Sequence, residues 1–131
     1  MADGSTPVRP DTIAELTCLL KVAVLCNNAT LGEVTAEDSG DPMELALLRA
    51  GRLAGLDRRQ LLSESAEIKE HAFDTDRKMM ATVHRCGDAY LFAIKGAPEA
   101  VLTSTDRVLS EEREVALDEA CLLYTSDAAD E

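Results

Sequence analysis

Between Lys78 and Lys95 the sequence alternates twice about a Gly87-Asp88 pair, and no other stretch limits the fold so tightly. Met79, Ala81 and Val83 recur at every second position before the pair, and Tyr90, Phe92 and Ile94 after it, which is the period of a strand. A two-residue loop with glycine first suits a type II′ turn, whose twist matches two antiparallel strands. Counting outward from that turn sets the register: Cys86 faces Ala89, Val83 faces Phe92, Ala81 faces Ile94, and Met80 faces Lys95. The expected core face is Met79, Ala81, Val83, Phe92 and Ile94, with Met80, Thr82, Ala93 and Lys95 on the other.

The rest of the chain arranges itself around this hairpin. Met1–Pro10, with two prolines and a glycine, reads as a linker or entry segment. With Asp11 as cap, Ile13, Leu16, Leu19, Leu20, Ala23 and Val24 follow helical spacing until Asn27-Asn28, predicting a first helix of about four turns. Thr30–Gly40 is a polar loop with room for a short strand over 31–34. Asp41-Pro42-Met43-Glu44 starts a second helix: Asp41 caps, Pro42 fits the first position, and Glu44 favours the positive end of the dipole. That helix should run to about Leu53 and close at Gly55, and Asp57 should cap a short third helix through Leu62. Ile68, Glu70 and Ala72 form a weak alternating strand leading to Phe73, and Asp74 to Arg77 form a polar turn. Pro98 begins another helix, and Ser110, followed by Glu111-Glu112, predicts a last one. The fold class is α+β, an antiparallel sheet flanked by helices, over residues 11–120.

A chain of 131 residues suits one ordinary domain. Its formal charge of −12, from 25 acidic and 13 basic residues, disfavours nucleic acid and anionic membrane surfaces, which require a positive field. Apolar runs fall far short of the ~18 to 20 residues of a bilayer crossing, so a soluble fragment is expected. Cys18, Cys26, Cys86 and Cys121 show no paired metal-ligand spacing and read as reduced, mostly buried thiols. The segment Cys121–Glu131 looks like the translation of a sequencing-library adapter and is set aside from fold reasoning.

A nucleotide site needs a π-face for the base, a cation near the phosphates and polar groups at the base edge. Phe73 is an ordinary core aromatic or such a platform, and Lys95 is a solvated strand-end charge or a phosphate contact. Gly96 would let a ligand approach the backbone. Arg77 and Lys78 point to opposite faces of an extended chain, so at most one meets a given ligand. Met80 fills a core gap or pads a base, and Glu44 serves its own helix terminus or a ligand. No GxxxxGK[ST] loop, GxSxG elbow or HExxH pair occurs.

Three segments resemble, in order, signatures of the nucleotide-binding domain of P-type cation-transporting ATPases: Gly40-Asp41-Pro42-Met43-Glu44-Leu45-Ala46-Leu47, Phe73-Asp74-Thr75-Asp76-Arg77-Lys78-Met79-Met80, and Lys95-Gly96-Ala97-Pro98-Glu99. Leu25-Cys26-Asn27-Asn28-Ala29 is similar to a fourth, and the likeness spans about residues 10–109. The motifs are most similar to the calcium and sodium/potassium group. Met43 and Ala81 stand where that family's motifs usually carry threonine, and serine or threonine, respectively.

The resemblance implies a domain that binds ATP and presents it to a phosphorylatable aspartate in a separate domain. It implies that Phe73 stacks on adenine, Glu44 contacts the base edge, Lys78 and Met80 line the pocket, Lys95 lies deep beside the nucleotide, and Gly96 permits its approach. The Asp-Lys-Thr-Gly-Thr phosphorylation motif, the actuator motif and the Mg²⁺-binding aspartates do not occur in this sequence. Alone, the fragment should therefore be inactive, and Mg²⁺ is expected only in the full-length pump. The implied partners are ATP and the phosphorylation and actuator domains of a membrane-embedded parent. The competing expectation is a non-enzymatic acidic interaction module that binds no nucleotide.

Overall fold

The computed structural model of the chain describes residues 14–110 and 113–117. The expected linker Met1–Pro10, the Asp11 cap and the segment Cys121–Glu131 lie outside them. Helix α1 (Ala14–Leu25) leads through a short 3₁₀ turn to α2 (Pro42–Leu53) and α3 (Arg58–Glu64). Strands β1 (Ala66–Asp74), β2 (Met79–Cys86) and β3 (Ala89–Gly96) follow, then α4 (Pro98–Thr103) and the pair β4 (Arg107–Ser110) and β5 (Arg113–Ala116). The first three strands form one antiparallel sheet in the order β1-β2-β3, and β4-β5 form a separate hairpin. Among the described residues no helix is long and apolar enough to cross a membrane.

The central hairpin has the register that its turn dictates: Cys86 pairs with Ala89, Val83 with Phe92, Ala81 with Ile94 and Met80 with Lys95. Gly87 has φ 62°, while Lys78 is the only described non-glycine residue with positive φ. Positive φ at the first loop position alone is what a type II′ turn requires.

The expected core face holds only in part, at Val83, and the opposite face is the more deeply covered one. Met80, Thr82, His84 and Ala93 are buried, whereas Phe92, Ile94 and Tyr90 are exposed; Val83 is buried and Met79 and Ala81 half-buried. The cause is where α1 lies. Val24, Leu25, Cys26 and Ala29, from the end of α1 and its exit, pack with Leu48 of α2, Leu61 of α3, Met80 of β2 and Ala93 of β3 in one core. The polar members of the covered face are satisfied internally. His84 Nδ1 lies 3.1 Å from the Ser65 carbonyl oxygen, and its Nε2 lies 2.7 Å from Thr82 Oγ1. A carbonyl only accepts, so Nδ1 carries a hydrogen toward Ser65, and the Thr82 hydroxyl, which also lies 3.5 Å from the Leu25 carbonyl oxygen, is the partner of Nε2. Leu19, assigned to the apolar stripe of α1, is exposed, since the buried stripe is Leu20, Ala23, Val24 and Leu25.

Helix α2 begins as its sequence requires. Asp41 Oδ1 accepts from the Met43 and Glu44 amides at 2.7 and 3.3 Å, and Pro42 occupies the first turn. It ends on Gly55 at φ 79°, with the Leu56 amide donating to the Gly51 carbonyl and the Gly55 amide to that of Arg52. This crossed pair satisfies two otherwise orphan carbonyls. Asp57 occupies the N-cap of α3, but its side chain makes no capping bond.

Two further expectations are corrected. The helix predicted after Ser110 is a β-hairpin, with Arg107 paired to Ala116 and Val108 to Val115. The local capping signal is outweighed by β-branched cross-strand pairing. Cys18 is exposed and Cys86 half-buried, so of the described thiols only Cys26 is fully buried.

Candidate functional site

One end of the three-stranded sheet gathers the residues singled out from the sequence. The β1–β2 connection is closed by Asp74, whose Oδ1 accepts from the Asp76 amide at 2.8 Å and the Arg77 amide at 3.1 Å. The Asp74 carbonyl accepts from the Lys78 amide at 2.6 Å, and Lys78 takes φ 58° to bring the chain into β2. The amides of Arg77 and Asp76 hold the Asp74 carboxyl below the usual carboxylate range. The bonds that favour its ionised form therefore stabilise the turn at neutral pH and are lost as pH falls through that lowered value.

Lys95 and Glu44, 51 positions apart, meet at the base of this end: Lys95 Nζ donates to Glu44 Oε1 at 2.8 Å. Their side chains are 25% and 14% exposed, so the pair is only partly screened by water. The second carboxylate oxygen, Oε2, accepts from the Asn28 amide at 3.1 Å. Both oxygens of Glu44 are thus oriented by groups from different elements. Met80 is the cross-strand partner of Lys95 and is buried beside it.

Phe73 is 57% exposed at the end of β1. Asp74 pairs with Met79, which puts Phe73 at the Met80 and Lys95 end of the sheet, next to a register shift between His71 and Asp74 that interrupts the alternation of β1. Lys78 stands at the same end but is exposed, with a long contact of 3.7 Å to Glu99. It is not joined to the Glu44 and Lys95 pair. Gly96 has a nearer reason for being glycine than the approach of a ligand. A Cβ there would stand 2.3 Å from the Lys78 carbonyl oxygen and 2.8 Å from Met79 Cα, so the absent side chain admits the backbone of β2.

In the sequence Asn27 reads as a helix stop within a family-like segment, and the structure gives it more to do. It is 1% exposed; Nδ2 donates to the Ala23 carbonyl at 3.2 Å and the Glu44 carbonyl at 3.0 Å, and Oδ1 accepts from the Ala29 amide at 2.8 Å. Arg58 of α3, not singled out before, donates to the carbonyls of Val24 at 3.3 Å and Asn27 at 2.9 Å and so closes the C-terminus of α1. The Leu25-Cys26-Asn27-Asn28-Ala29 motif was the available signal for both asparagines. Cys26 is no nucleophile here: burial pushes its thiol up, and Sγ faces the Met80 carbonyl at 3.8 Å.

A groove among the described residues lies elsewhere. About 750 Å³ in volume, it runs between α2, α3 and the loop after Thr30, over Leu31, Leu48, Leu56 and Leu62. It contains none of the residues predicted to bind a ligand. No aromatic side chain lines it, and Glu33, Glu37, Arg52 and Arg59 mix both signs of charge on its walls. The combination of an exposed ring, a cation and an oriented carboxylate occurs at the Phe73 end instead.

Comparison with known proteins agrees with the family resemblance. The chain is 37% identical over 102 residues to calcium-transporting ATPase 1 of Bacillus cereus, a span of 78% of this chain and 11% of that protein. It is 35% identical to a probable cation-transporting P-type ATPase of Mycoplasma genitalium, covering 76% of this chain and 11% of the relative. It is 32% identical to the sodium/potassium-transporting ATPase subunit alpha of Drosophila melanogaster, covering 77% and 11%. The chain therefore spans about a ninth of the length of these relatives. A family model described as P-type ATPase, cytoplasmic domain N, matches residues 15–131, and on that match the chain belongs to the P-type ATPase family, as part of its cytoplasmic domain N.

Proposed function

We propose that this chain binds ATP at the Phe73 end of the sheet and serves, within a longer cation pump, to present it to an aspartate in another domain. The observation that carries this is the Lys95–Glu44 contact at 2.8 Å, which joins two of the family-like motifs across 51 positions. Met80, from a third motif, is the cross-strand neighbour of Lys95. Phe73 offers an exposed ring at the same end of the sheet for the base. Glu44 supplies an oriented acceptor at the base edge, and Lys95 a partly desolvated cation deep in the site. Lys78, exposed at the rim, adds positive charge to an otherwise acidic molecule. Gly96 contributes by letting β2 close against β3, which holds Lys95 in place.

Transfer of the γ-phosphoryl group belongs to the parent protein, since the accepting aspartate and the Mg²⁺ ligands are expected in other domains. This chain's residues bind and orient the nucleotide. Titration with a non-hydrolysable ATP analogue while following amide shifts tests the assignment. Phe73, Met80 and Lys95 should respond together, and Lys95→Ala should weaken binding by about tenfold or more. Unchanged affinity in that variant would remove the nucleotide function and leave an acidic interaction module.

A further inference from the structure

We infer that Asn27 is a positioning residue of the nucleotide site, which sets the preference for a base with a 6-amino group by fixing the carboxylate of Glu44. The inference rests on the nucleotide-binding function proposed above. Asn27 meets Glu44 only at its backbone carbonyl, not at the carboxylate. It is buried at the exit of α1, and its three hydrogen bonds tie together three backbone segments: Ala23 within α1, Ala29 after it, and Glu44 in the first turn of α2. The next amide along, that of Asn28, then meets Glu44 Oε2 at 3.1 Å. Arg58 fixes the same corner by donating to the Asn27 carbonyl. The Glu44 carboxylate is thus held at Oε2 through the corner that Asn27 builds and at Oε1 by Lys95.

Each carboxylate oxygen accepts more than one hydrogen bond, so both retain capacity after these contacts. A 6-amino purine donates to that capacity, whereas a 6-oxo purine presents an acceptor to a fixed negative oxygen. The discrimination depends on the carboxylate being unable to turn away. Remove the Nδ2 donors of Asn27 and the tie to the Glu44 backbone goes, so the carboxylate loses its fixed position at Oε2 and is left with the Lys95 bond at Oε1 alone, while the Phe73 ring is untouched. The binding of the phosphates and the stacking of the ring remain.

The test compares adenosine and inosine triphosphate on the intact chain. Asn27→Asp keeps the Oδ1 acceptor for the Ala29 amide and removes both Nδ2 donors. The expected result is a loss of about tenfold in the preference for adenosine over inosine triphosphate, carried by weaker adenosine triphosphate binding. Asn28→Ala, which keeps the backbone amide, should leave the preference unchanged. A purely structural role for Asn27 would lower both affinities in parallel and overturn the inference. If Asn27→Asp does not fold, the unaltered chain decides: the Asn28 amide should shift strongly with adenosine triphosphate and weakly with inosine triphosphate, and equal shifts overturn the inference. Failure of the unaltered chain to bind either nucleotide overturns the function on which it rests; binding with a preference that survives Asn27→Asp overturns the inference alone.

Discussion

The two faces of the three-stranded sheet differ in a direction that hydropathy does not indicate. The face under α1 carries Thr82, His84 and the stem of Lys95, and it is the buried one. The opposite face carries Tyr90, Phe92 and Ile94 at 62%, 62% and 44% exposure. Burial on this sheet follows the partner surface, which is the Val24, Leu25 and Cys26 end of α1, and polar residues are tolerated beneath it because each finds a hydrogen bond. The candidate site grows from the covered face, where a rigid support exists to orient Glu44 and Lys95.

The largest expected effect tests that support directly. Leu25 is fully buried in the core, and Leu25→Ala should cost ~2–5 kcal/mol, read as a lower urea midpoint. Next comes Thr82→Val, nearly the same shape without the hydroxyl. It leaves Nε2 of the fully buried His84 without its hydroxyl partner and should cost ~1–3 kcal/mol by the same measurement, more than an exposed threonine would. Smallest is Phe92→Ser on the open face, expected to stay within ~0.5 kcal/mol despite the size of the side chain removed. A loss from Phe92→Ser as large as that from Leu25→Ala would break the contrast between the faces.

How much of this could be read from the sequence varies with how local the cause is. The register of β2 and β3 was legible because a glycine-first turn fixes the count on both sides, and Met80 therefore stands opposite Lys95. Helix α2 was legible at both ends, from Asp41 and Pro42 at its start and Gly55 at its close. The buried face was not legible, because alternation shows that two faces differ without showing which one a distant helix covers. The β4–β5 hairpin was hidden by a capping signal at Ser110 that only the pairing of Val108 with Val115 outweighs. In the candidate site, the resemblance drew attention to Glu44 and Lys95. Their direct contact, and the part of Asn27 in it, depend on how α1, α2 and β3 meet, which no short pattern encodes.

The closeness of Gly96 to the backbone of β2 bears on how descendants of this domain are to be judged. A Cβ at that position would collide with the Lys78 carbonyl oxygen whether or not any ligand ever arrives. A copy that serves as a purely architectural part would still keep this glycine. Its survival in such a lineage is therefore no sign of ligand binding, whereas joint loss of the charges at positions 44 and 95 would remove the ion pair on which the proposed nucleotide site rests.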